Sequence, residues 1–425
     1  MKTTVRIAAA LLAVFTMSLA AQSPEPTPAF PGQTHAPAPA RPSPPFNVET
    51  IATGLTGAWA VAFLPDGNYL ITQNGGTMRI VKPNGVVSEP IAGVPGVKTI
   101  GAHGLHDLLL DPDFARNRTL YFTYFAPPPG EAPGAWPLHF LYEDVWTKSL
   151  AERRLLNIGM EKVARARLSQ DNTRLEDVRD LADGAERRIQ LGRDGNLLVT
   201  GADRFRFYDS DLDGNERNAV LDPDERRNFA GGVLRVGRDG SIPKGNPFLG
   251  RANVSPWVFA FGLKDPEGAA IHPVTGDLWV TDHGPQGGDE IDIIRPGGDY
   301  GWPDVSYGRQ YDARQTDGRK NVKVGTGNTS MKGVEEPIYY WVPSIGPSGM
   351  AFYTGDQFPE WKGNLFIGAM PGQHLVRLVL KDNRVVAEEK LLVDRKQRIR
   401  EVRQGPDGNL YIFMGTDLVR LTPKK

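Results

Sequence analysis

Ile271-His-Pro-Val-Thr-Gly-Asp-Leu-Trp-Val-Thr-Asp282 contains an apolar strand end, a turn on Gly276-Asp277 and a strand alternating by two from Leu278. The same unit returns as FLPDGNYLIT (Phe63 to Thr72), LDPDFARNRTLYFTY (Leu110 to Tyr124), LGRDGNLLVTG (Leu191 to Gly201) and QGPDGNLYIF (Gln404 to Phe413). FYTGDQFPEWKGNLFIG (Phe352 to Gly368) is a longer sixth version. Each reads as a β-hairpin, because Asp-Gly or Gly-Asp supplies the turn and the second strand alternates. Six hairpins over the chain give roughly 60 residues per unit, the size of a propeller blade with its loops. Helical periodicity is weak outside Leu141 to Asn157. The expected fold class is all-β, a six-bladed β-propeller.

Outward from these repeats, the N-terminus reads as an address. Lys2 and Arg6 precede an apolar run from Ile7 to Leu19, with small residues at Ser18, Ala20 and Ala21. This pattern predicts a signal peptide over residues 1–21 and export to the periplasm. The run is shorter than the roughly 20 residues that a membrane span needs. Ser23 to Phe46 holds nine prolines, so residues 22–46 are expected to be an extended, disordered linker. The globular domain is then 47–425. Its 425-residue chain has no cysteine, so disulfides, lipoprotein attachment and thiolate metal sites are excluded. A formal charge of −1 argues against nucleic acid or an anionic membrane as partner and suits a small neutral substrate.

Trp257 to Asp304 carries the densest polar chemistry: GLKDPEG, then DHGPQGGDEID, then DYGWP. Gly284-Pro285 cannot continue a strand ladder, so its carbonyls are available to a cation. Asp289 and Glu290 follow in an oxygen-rich setting of the kind Ca²⁺ prefers. In this order and spacing the three motifs resemble the soluble quinoprotein aldose dehydrogenases, the PQQ-dependent enzymes of the glucose/sorbosone dehydrogenase family. The likeness extends through AWAVAFLPDGNYLIT, SGMAFYTGDQFPEWKGNLFIGAM and QRIREVRQGPDGNLY. The resemblance implies a six-bladed propeller that oxidises an aldose or related sugar alcohol, with PQQ and calcium as cofactors and an electron acceptor that the sequence leaves unknown.

The same resemblance assigns residues. It implies that calcium takes the carbonyls of Gly284 and Pro285. Lys264 and Asp265 stand where relatives carry an Arg-Asn pair that contacts the cofactor. Ser344 replaces a Thr that does the same, and Arg398 and Arg400 match a pair of arginines able to clamp a tricarboxylate. Three functional side chains of the family are absent. Its general-base His falls at Gly184, in DGAERR, its Gln at Ala102, in GAHGLHD, and its Lys at Pro371, in GAMPGQH. The replacement base is sought among His103, His106, Asp183 and Glu186, with His103 preferred because it lies in the loop of the missing Gln. His283 lies close to the metal turn, at a position that is not catalytic in the family. The alternative is a catalytically impaired propeller acting as a Ca²⁺-dependent ligand-binding module.

Two segments fall outside the family pattern. Asp209, Asp211 and Asp213, with Gly214, match the opening of a calcium loop, but the twelfth position is Val220 where an EF-hand needs Glu. An added Ca²⁺ and a solvated acidic loop are both open readings. The connection from Ala126 to Asn157 is long and aromatic, which suits either stacking on a sugar or packing onto the propeller.

Overall fold

The computed structural model describes residues 25–99, 103–135, 159–203, 231–252, 254–311, 322–325 and 327–424. Six antiparallel sheets form the blades of a β-propeller. Their innermost strands are Ala58–Phe63, Leu105–Leu110, Ile189–Leu191, Pro266–Ile271, Pro347–Phe352 and Ile399–Gln404. Each innermost strand lies against the next, and the sixth returns to the first. The ring is closed by Phe46–Ala52, which pairs with Asp417–Pro423 as the outermost strand of blade six. First and last segments of the domain therefore share one sheet, and the ring has no open end.

The six hairpins read from sequence are the six turns between the first and second strands of the blades. They join Phe63 to Tyr69, Leu110 to Leu120, Leu191 to Leu197, Ile271 to Leu278, Phe352 to Leu365 and Gln404 to Leu410 in register. The recurring glycine has a physical reason: Gly67, Gly195, Gly276, Gly363 and Gly408 all sit at φ between 77° and 84°, which side chains rarely adopt. Alternation then sends every second residue into the gap between neighbouring blades. Six hydrophobic clusters fill those gaps among the described residues, one per blade interface. Trp279 and Trp361 are fully buried in two of them.

Residues 25–45 depart from the expected disordered linker, for they lie along the outer edges of blades four and five. Gln33 is fully buried; its Nε2 donates to the Pro337 carbonyl at 2.8 Å and its own carbonyl accepts from Tyr340 N at 2.9 Å. The Pro37 carbonyl accepts from Glu388 N at 2.9 Å. Ser43 is held by the Glu389 carboxylate and by Trp361 Nε1 at 3.0 Å. Tyr339–Trp341 and Arg384–Leu391 are the outermost strands of their sheets. Unpaired edges attract any extended chain, and a proline-rich segment with few donors of its own supplies acceptors to them. The segment is better described as an arm. Residues 1–21, where a signal peptide is expected, lie outside the described residues.

Candidate functional site

The glycine hairpins lie at one end of the ring. At the other end the innermost strands begin, and the loops there carry residues 184–188, 264–265, 283–288, 342–346, 370–373 and 392–398. Nearly every residue singled out by sequence therefore reaches one face. This follows from blade topology, because the loop between blades and the loop between second and third strands open the same way.

Charged side chains fill the centre of that face. Arg187, 2 % exposed, donates from Nε to Asp265 Oδ1 at 2.8 Å and from a terminal nitrogen to Glu186 Oε1 at 3.0 Å. Arg188 donates to Glu401 Oε2 at 2.6 Å and to the Glu267 carbonyl at 2.6 Å, with its guanidinium over Trp59. Arg400 pairs with Glu267, and Arg403 with Asp107. Burial opposes ionisation of Asp265, but Arg187 and Lys264 outweigh it and hold the carboxyl at about 2. Buried charges require such partners, and Arg187, Arg188, Arg400 and Arg403 each have a carboxylate opposite.

The network alters several expectations. Lys264 is buried and its ammonium donates to the His283 carbonyl at 2.7 Å, while Asp265 answers Arg187. Both belong to the network. Arg400 is committed to Glu267, so of the expected arginine clamp only Arg398 is exposed; among the described residues its hydrogen-bonding contact is Met370 Sδ at 3.7 Å. Asp265, Glu267 and His283 place ligand atoms within 4.8 Å of one another. With Arg187 and Arg400 already neutralising the two carboxylates, this trio is better suited to the ion network than to a further cation.

Beside the network a cavity of ≈ 720 Å³ is lined by His283, Pro285, Gln286, Arg309, Pro343, Ser344, Pro371 and Arg398. The Gly284-Pro285 turn on its wall is tightly wound: a Cβ at 284 would come within 2.3 Å of the Gly287 carbonyl. Asp289 organises the turn, accepting from Gly284 N at 3.0 Å, Ser344 Oγ at 2.9 Å, Ile345 N at 2.7 Å and Gly346 N at 2.9 Å. Its carboxylate and the Ser344 hydroxyl are thus spent on structure, contrary to their expected places beside cation and cofactor. The Gly284 and Pro285 carbonyls accept no hydrogen bond from any described residue.

A second oxygen-rich place was not singled out as a separate site. Asp282 and Glu290 are paired across two strands of blade four, and Asp292 follows on the same face by the period of two. Asp292 is fully buried with no partner for either carboxylate oxygen. Burial first, then Asp282 and Glu336, push its carboxyl well up; burial, then Asp292, do the same to Glu290. Asp282 is raised to about 6 by burial, against the amides that donate to it. Buried beside like charges, such carboxyls favour their protonated form. The only hint in the sequence is DEID, where two acids alternate on a strand expected to be buried.

The candidate bases separate cleanly. His106 is fully buried, stacked on Trp59, with Nδ1 donating to the Glu186 carbonyl at 2.8 Å and Asn74 at 3.2 Å from Nε2. Burial lowers it to about 3. Asp183 pairs with Lys162 at 2.7 Å. His103 instead joins Glu186, fully buried, through Nδ1, and stacks on Phe125. Burial would raise the Glu186 carboxyl, but His103, His106 and Arg187 bring it to about 2. An ionised Glu186 fixes the proton on Nδ1. His103 is 5 % exposed, its Nε2 has no hydrogen-bond partner among the described residues, and the ring lies outside the lining of the cavity beside Pro285. Gly184, two residues before Glu186, has φ +98°, and an added Cβ would meet nothing within 4 Å. Ala102 and the acidic run with Asp209, Asp211 and Asp213 lie outside the described residues.

Comparison with known proteins fits this geometry. The sequence profile of the Glucose / Sorbosone dehydrogenase family matches residues 55–421. The chain belongs to the glucose/sorbosone dehydrogenase family. It is 32% identical over 382 residues to aldose sugar dehydrogenase YliI of Escherichia coli, covering 89% of this chain and 93% of that protein. It is 24% identical to quinoprotein glucose dehydrogenase B of Acinetobacter calcoaceticus, covering 87% and 86% of the two chains. The apo crystal structure of the soluble aldose sugar dehydrogenase of Escherichia coli superposes with a TM-score of 0.73 at 31% identity, covering 89% and 100%. Among the described residues no helix is long and apolar enough to cross a membrane.

Proposed function

We propose that this chain is an exported, PQQ-dependent dehydrogenase of an aldose or related sugar alcohol, with calcium at the Gly284-Pro285 turn. The observation that carries the reading is that turn: two successive carbonyls that accept no hydrogen bond from a described residue, with Pro285 on the wall of a cavity that also presents Arg398. Bound PQQ would supply the hydride acceptor. Arg398 provides a cation for an anionic quinone, and the Arg187 and Arg400 ion pairs keep the floor rigid. Pro371 narrows the side where relatives extend a Lys. A sugar hydroxyl must lose its proton as hydride leaves the same carbon. His103 Nε2 is the proton acceptor in this reading, because Glu186 orients the ring as a carboxylate orients the His of a hydrolytic triad. Export rests on the pattern from Lys2 to Ala21.

The open position at Gly184 favours a second reading, a Ca²⁺-dependent binding module without turnover. Steady-state oxidation of common aldoses by PQQ-loaded protein, with an artificial electron acceptor, separates the two. Turnover that His103→Ala abolishes while PQQ binding persists supports the dehydrogenase; binding with no turnover supports the module.

A further inference from the structure

The arm that precedes the propeller reaches the cavity at Glu25. Three anchors define its path: Ser43 on the Glu389 carboxylate, Pro37 on Glu388 N, and Gln33 buried against Tyr340 and Pro337. Beyond Gln33 the chain turns back on itself through Ala29 N donating to Gln33 Oε1 at 2.7 Å. Tyr340 Oη then holds the Pro26 carbonyl at 3.0 Å. Pro26, Pro28 and Pro31 restrict this stretch to few backbone conformations. It delivers Glu25 to the wall of the ≈ 720 Å³ cavity, where Glu25 is the one carboxylate among the described lining residues. The other charged groups there are Arg309 and Arg398. Glu25 Oε2 meets His35 Nε2 at 2.9 Å, and Oε1 accepts from no described residue.

We infer that the arm is a wall of the substrate site and that Glu25 binds sugar hydroxyls, favouring neutral over acidic sugars. The inference rests on the dehydrogenase reading above. A carboxylate accepts from two hydroxyl donors at once, which is the chemistry a neutral polyol presents. A sugar carboxylate brought to the same wall meets like charge. The anchors on blades four and five fix the wall without help from the ligand, so little ordering entropy is lost on binding.

The test uses full-length protein loaded with PQQ and Ca²⁺, the variants Glu25→Gln and Glu25→Lys, and a neutral aldose alongside its uronic acid. Hydrogen exchange of residues 26–33 is followed with and without aldose. Glu25→Gln is expected to raise KM for the aldose by about three- to tenfold, more than it lowers kcat, as for one partly exposed charge-assisted hydrogen bond. Glu25→Lys shifts preference toward the uronic acid, and aldose slows exchange in the arm. The affinity for PQQ, titrated separately, stays as in the wild type. Unchanged KM and preference in both variants, or an arm whose exchange ignores aldose, overturns the inference. If wild type takes up no PQQ, the dehydrogenase reading fails by itself. Calorimetric aldose binding to the apoprotein and to Glu25→Gln then decides the arm's role, and equal affinities, or no binding to either, overturn it.

Discussion

His103 and Glu186, 83 residues apart in sequence, meet through a buried hydrogen bond from the imidazole Nδ1 to the carboxylate, where the loops of blades two and three converge. Glu186 lies two residues from Gly184, the position at which the sequence resemblance would place a base. Removing the ring by His103→Ala is predicted to lower kcat by roughly 10²–10⁴-fold, the usual contribution of general acid–base catalysis. PQQ affinity should change little. Glu186→Gln should lower kcat less, and it should move the pH–rate profile, because the neutral amide no longer fixes the tautomer. Stopped-flow rates across pH, with PQQ affinity as control, check both.

Gly184→His tests whether the vacated position can still serve. The space is open, yet φ of +98° is a strained place for any side chain, at about 1–2 kcal/mol. The variant is predicted to fold with a slightly lower Tm and, combined with His103→Ala, to recover part of the lost rate. A double variant as inactive as His103→Ala alone would show that the loop does not aim residue 184 at substrate.

Deleting residues 25–45 is predicted to lower Tm by on the order of 5 °C, because several hydrogen bonds of about 1 kcal/mol each leave the edges of blades four and five. Differential scanning calorimetry checks this. An unchanged Tm would restore the picture of an unpacked linker.

The buried carboxyls of blade four should govern the pH dependence of stability. The carboxyl of Asp282 is raised to about 6 in the fold, above an unfolded value of about 3.9. Its contribution is therefore fully present below about pH 4 and lost as pH rises through 6; Glu290 and Asp292, raised further, continue the loss at higher pH. Cation-free protein is predicted to lose Tm from pH 5 to 8. Asp292→Asn, which cannot ionise, should flatten part of that loss. A Tm that rises with pH in chelator would contradict the assignment.

Much of the architecture was legible because it is local. The turns at Gly67, Gly195 and Gly408 specify hairpins within ten residues of sequence, and alternation fixes which side is buried. The site was legible where backbone chemistry decides it, as at Gly284-Pro285. It was not legible where distant strands decide it. Arg187, Arg188 and Glu186 look like surface residues in DGAERR, yet the start of the Ile189–Leu191 strand turns them into the ring. The arm looked unstructured because it has little apolar surface of its own; it is held by edge groups of Tyr340 and Glu388, some 300 to 350 residues away.

The central claim is that the cavity beside Gly284-Pro285 takes PQQ and turns over sugar. Titrating apoprotein with PQQ in the presence of Ca²⁺, followed by the absorbance of the quinone and then by addition of an aldose, tests it directly. The account predicts saturable uptake of one PQQ per chain that requires Ca²⁺, weakens by roughly 1.5–3 kcal/mol in Arg398→Ala, and supports aldose oxidation. Absence of uptake by the wild type, or uptake equal in Arg398→Ala and indifferent to Ca²⁺, would contradict it.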